Sequence, residues 1–102
     1  MLLSEYIKNI DIDLIDKKLK NVAIISLHNI LEENYMDLGL KDKNDVNYLS
    51  FKESLSLILT GCYTEPVLKM RLNIYIKDIF LGYYEYISKL DLTYIDEFFV
   101  VQ

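Results

Sequence analysis

Apolar positions recur at helical spacing along most of the chain. Ile12, Ile15, Leu19, Val22, Ala23, Leu27, Ile30 and Leu38 share one face at the roughly 100° per residue of an α-helix, with Lys17, Asn21, His28 and Glu32 opposite. Asp11 or Asp13 supplies an N-cap side chain, and Gly39 stands where a glycine stop belongs. The polar run from Gly39 to Leu49 reads as an exposed connection. Ser50-Phe51-Lys52-Glu53 has the form of a capping box, Ser and Glu three apart before an apolar run. It predicts a helix through Leu55, Leu57, Ile58 and Leu59 that ends near Gly61.

Thr64-Glu65-Pro66 restarts the chain, with Pro66 suited to a first helical turn. From there to about Lys89, Leu68, Leu72, Tyr75, Ile79, Tyr83, Tyr86 and Leu90 form one stripe and predict the longest helix. Asp91 can cap a final short helix carrying Leu92, Ile95, Phe98 and Phe99, and Leu3 to Asn9 can form another after Ser4. Val100 and Val101 favour extended chain, but an isolated strand has nothing to pair with. The expected fold is all-α: a compact bundle or irregular array of four to five helices in a single domain, residues 1–102.

Composition agrees with that picture and adds a constraint on partners. A chain of 102 residues, 52% hydrophobic with three Gly and one Pro, can bury one core and holds few breakers. Sixteen acidic against 11 basic residues give a net charge of −5, which disfavours direct nucleic-acid binding and favours a cationic partner. The lone Cys62 has no partner for an internal disulfide, reads as a small hydrophobe, and fits a reducing compartment. Met1 to Tyr6 lacks the pattern of a signal peptide. Lys77, Asp78 and Glu85 interrupt the longest apolar windows, well short of the roughly twenty residues that span a bilayer. A cytoplasmic, non-membrane protein is expected. The abundance of Ile, Lys, Asn and Tyr, whose codons are rich in A and T, suggests an AT-rich microbial genome or a mobile element.

No pattern points to catalysis. His28 is the only histidine, and His28 with Glu32 at i+4 reads as a solvated surface pair rather than a metal site or general base. Lys41 to Asp45 lacks the central glycine and terminal Glu of a calcium loop. Neither a nucleophile elbow nor a glycine-rich phosphate loop occurs. Asp13 with Asp16, and Asp96 with Glu97, are paired carboxylates at exposed helix ends, where nothing would separate their pKa values. No enzyme activity, cofactor or metal is expected.

The nine tyrosines are more informative. Tyr75, Tyr83 and Tyr86 lie on the long apolar stripe, whereas Tyr84 falls on the opposite face near Met70, Ile74 and Leu81, with Lys77, Asp78 and Glu85 interleaved. A helix apolar on two faces is either wrapped at the centre of a bundle or presents a patch to a partner. From Asp78 to the end there are five acidic residues and one basic, together with Tyr83, Tyr84, Tyr86, Tyr94, Phe98 and Phe99. Aromatic anchors rimmed by carboxylates suit a basic surface. The expected partner-binding residues are Asp78, Leu81, Tyr84, Glu85, Asp91, Tyr94, Asp96 and Glu97. If that face is core instead, the acids around Glu32, Glu33, Asp37, Asp42 and Asp45 take its place.

In size, charge, expected helicity and tyrosine content, without a diagnostic motif, the whole chain resembles the class of small acidic bacterial immunity proteins. The segment from Asp78 to Tyr86 is loosely similar to the paired-tyrosine region of colicin DNase immunity proteins, in a different sequence setting. The resemblance implies a non-catalytic inhibitor that covers the active or substrate-binding site of a basic toxin nuclease. Two other readings stay open: a phage-encoded inhibitor of a host nucleic-acid-handling system, and a helical adaptor or regulatory subunit.

Overall fold

The structure, a computed structural model, describes residues 11–59 and 65–102. A long helix α1 (Ile12–Asn34) leads through two 3-10 turns, Tyr35–Leu38 and Lys43–Tyr48, into four strands. These are β1 (Ser50–Ile58), β2 (Val67–Ile76), β3 (Ile79–Lys89) and β4 (Tyr94–Val101), paired antiparallel in chain order as one sheet. The protein is therefore a mixed α/β protein, and the all-α expectation is overturned. Over the described parts of 50–61, 66–89 and 91–99 the expected helices are replaced by strands and the turns that join them. The expected helix at Leu3–Asn9, the Gly61 stop and Cys62 lie outside the described residues.

The reason is a period of two that the helical reading passed over. In β2, Leu68, Met70, Leu72 and Ile74 are buried and alternate with half-buried Lys69, Arg71, Asn73 and Tyr75. Positions four apart share a face under either period, so Leu68 and Leu72 fit both. β-Branched and aromatic side chains along β3 and β4 then favour the pleated surface. Ser50 and Glu53 are strand residues, not a capping box, and the Glu53 carboxylate instead meets Lys20 of α1 at 2.9 Å.

Two tight connections close the sheet. Lys77 and Asp78 both take left-handed backbone, φ 48° and 67°, as the type I′ turn of a two-residue hairpin requires. Between β3 and β4, the Leu92 N–H donates to Lys89 O at 3.0 Å, with Leu92 at φ 72°. Asp91 there accepts the Thr93 N–H at 3.0 Å, so it shapes a turn and does not cap a helix. Hydrogen bonding to Thr93 holds the Asp91 carboxyl below its ordinary pKa.

Helix α1 starts and stops much as expected. Asp11 accepts the Leu14 N–H at 3.1 Å, and Gly39, at φ 83°, ends the following 3-10 turn with its N–H on Met36 O at 2.9 Å. Leu19, Ala23, Leu27 and Leu31 sink into a core with Met70, Leu72, Ile74, Tyr84 and Tyr86 of the sheet. Each buried leucine stabilises the packing by about 2 kcal/mol. A helix laid on one sheet buries a narrower stripe than one inside a bundle. Ile12 and Val22, expected in that stripe, are accordingly exposed.

The opposite sheet face is polar and aromatic. Lys52 lies over the Tyr75 ring at 4.8 Å and Arg71 over the Tyr83 ring at 3.7 Å. At one end of this face Val67 and Ile87 are buried, outside the helix-side core. Among the described residues no helix is long and apolar enough to cross a membrane.

Candidate functional site

The most chemically organised surface lies where α1 passes the β3–β4 edge. Tyr86 and Glu97 are direct cross-strand partners, with side chains on the helix side of the sheet. Regular alternation would send Tyr94 to the other face, with Asp96 and Phe98. A register shift beside Ile87 pairs Ser88 with Tyr94 instead, passing over Ile95. This bulge re-aims Tyr94 so that its ring meets that of Tyr86, with centroids 5.5 Å apart and planes at 59°. Ser26, Asn29 and Ile30 of α1 form the facing wall of a groove of about 340 Å³.

Glu97 is the charged group of this groove. The buried Tyr84 phenol donates to its Oε2 from a diagonal position on β3. Burial, then the hydrogen bond and charge of Glu97, hold the Tyr84 phenol far above its ordinary value, partly offset by the Ser26 hydroxyl. Tyr84 is thus a permanent donor. The Tyr84 bond falls on Oε2, so Oε1 is the oxygen of this carboxylate that Tyr84 leaves open. Burial, with the nearby carboxylate, also raises the Tyr86 phenol, and the Tyr94 phenol shifts the same way. The groove therefore presents one carboxylate oxygen, two neutral aromatic rings, and the hydroxyl and amide of Ser26 and Asn29. In chemical terms these are groups that can accept a small cation-bearing group.

Of the eight residues expected to bind a partner, Tyr84, Tyr94 and Glu97 come together here. They do so through strand pairing, not along a helix face. Tyr84 is fully buried, so no exposed face is centred on it. Leu81 is half-buried against the core. Glu85 lies on the far sheet face between Lys69 at 3.3 Å and Arg71 at 3.9 Å. Asp78 and Asp91 sit in separate turns. Asp96 accepts the Glu97 N–H at 2.8 Å on the edge strand, occupying a main-chain donor that no neighbouring strand takes. Sequence reasoning missed Ser26, Asn29 and the role of Tyr86. Only a strand assignment pairing Tyr86 with Glu97 would have found them.

The other sequence candidates have structural uses. His28, expected on the solvent side of α1, packs edge-on against Phe51 with ring centroids 6.2 Å apart. It borders a cleft of about 200 Å³ with Glu32 and Asn44. Asp42 and Asp45 are engaged in a reciprocal cap of the second 3-10 turn. Among the described residues no three His, Cys, Asp or Glu side chains gather in a way that could hold a metal. Comparison with family models, curated proteins and solved structures finds no match for the chain.

Proposed function

We propose that the chain is a non-catalytic inhibitor that binds a basic protein, of the kind an immunity protein makes with a toxin nuclease domain. The observation that carries this reading is Glu97, a carboxylate set among Tyr84, Tyr86 and Tyr94 beside an open groove. Tyrosines offer large contact area at small entropy cost, and a carboxylate among them anchors a cationic side chain while the −5 net charge steers the encounter. An inhibitor of a host nucleic-acid-handling system would use the same charge logic. The adaptor reading loses its premise, because the helix with two apolar faces does not exist.

The test is co-expression with each toxin nuclease domain encoded beside the gene. Growth rescue by the native chain, lost with Glu97→Gln plus Tyr94→Ala at unchanged circular dichroism, supports the proposal. Failure of the native chain to rescue from any of them overturns it. Binding should also weaken as salt rises, because steering by net charge is screened within about 10 Å at 0.1 M salt.

A further inference from the structure

We infer that the groove selects an alkylammonium, the head group of a lysine side chain, over a guanidinium. This rests on the reading of the groove as a cation site and names the cation. A guanidinium gains its advantage over an ammonium by presenting a planar fork to both oxygens of one carboxylate. Here Tyr84 already occupies Oε2 of Glu97. That phenol belongs to a fully buried β3 side chain in the core beneath α1, and cannot be pushed aside without opening the core. Tyr84 thus leaves a single oxygen of this groove-lining carboxylate, Oε1, for an incoming cation.

An ammonium has three donors and no planar requirement. Glu97 on β4, and Ser26 and Asn29 on the facing α1 wall, line the same groove and carry acceptors for those donors: a carboxylate oxygen, a hydroxyl and an amide carbonyl. The tilted rings of Tyr86 and Tyr94 supply aromatic surface for the methylenes that precede the charge. Tyr94, half exposed on the re-aimed turn of β4, forms the outer lip. Tyr84 therefore acts as a specificity determinant without touching the ligand, by setting how many carboxylate oxygens remain.

The test titrates the full chain with n-butylammonium and with n-butylguanidinium, following the amide and side-chain NMR signals of Asn29, Tyr86, Tyr94 and Glu97. The expected result is saturable shifts with n-butylammonium, at least about tenfold tighter than with n-butylguanidinium, the loss of one charge-assisted hydrogen bond being worth that factor. Glu97→Gln should abolish the shifts. Tyr84→Phe frees Oε2 and should narrow or reverse the preference. Should that variant fail to fold, Ser26→Ala, which removes an ammonium acceptor, should narrow it instead. Equal or tighter guanidinium binding by the native chain, or shifts with neither probe, overturns the inference. Rescue from a toxin without ammonium selectivity would leave the proposed function standing and this inference refuted, and the converse result separates them the other way.

Discussion

Tyr84 and Glu97 meet diagonally across the β3–β4 ladder, and the phenol buried beneath the helix is the donor that holds the groove's carboxylate. Tyr84→Phe should cost about 1–3 kcal/mol in urea denaturation, the range for a hydrogen bond to a charged, half-buried group. The same pair sets an alkaline limit. The folded-state phenol is raised above its ordinary value of 10.0, so its stabilisation is fully present below pH 10.0 and lost as pH climbs beyond it. One such proton gives a slope of about 1.4 kcal/mol per pH unit. Tyr84→Phe should flatten that slope, and an unchanged alkaline unfolding profile would show that Tyr84 is not the group responsible.

Gly82 faces β4 at φ 150°, and a Cβ built there would stand 2.3 Å from the Val100 carbonyl oxygen. A main-chain atom held in a ladder cannot retreat as a side chain can. Gly82→Ala should therefore destabilise the sheet by about 3 kcal/mol or more. Thermal denaturation of the variant checks this, and a melting temperature close to native would contradict the β3–β4 register.

The Lys77–Asp78 turn holds two residues with side chains in left-handed backbone. Replacing them by Asn and Gly relieves a penalty of about 1–2 kcal/mol per residue, less the entropy that glycine adds to the unfolded chain. Lys77→Asn with Asp78→Gly should gain about 1 kcal/mol in urea denaturation. Loss of stability would mean that the hairpin has another geometry.

Helix α1 offers a contrast within a single turn. Leu27 is fully buried and Ile25 is 61% exposed. Leu27→Ala should cost about 2–5 kcal/mol and Ile25→Ala no more than about 0.5 kcal/mol. In an all-helical bundle with helices on both sides, the two losses would be similar.

How much of this was legible in the sequence follows from which signals were local. Asp11 and Gly39 act locally: the sequence offered Asp11 as an N-cap, while the glycine stop at Gly39 closes the 3-10 turn that follows the α-helix, which itself ends at Asn34. The sheet escaped because Leu68 and Leu72 satisfy both periods, and because Lys77–Asp78 carries neither the Asn nor the Gly that usually marks a hairpin. Tyr94 and Glu97 were identified for their charge and aromaticity alone. Their convergence with Tyr86 depends on a bulge at Ile95 that nothing in the local residue types announces.

The chain-order sheet has a kinetic consequence. Every strand neighbours the next one along the chain, so each pairing closes only a short loop of backbone. Low contact order of this kind favours quick folding for a protein rich in β-structure. The two-residue link makes β2–β3 the natural nucleus, from which β1 and β4 can zip on either side on the microsecond scale of hairpin formation. The groove at β4 would then be among the last features to assemble, after the sheet on which it rests.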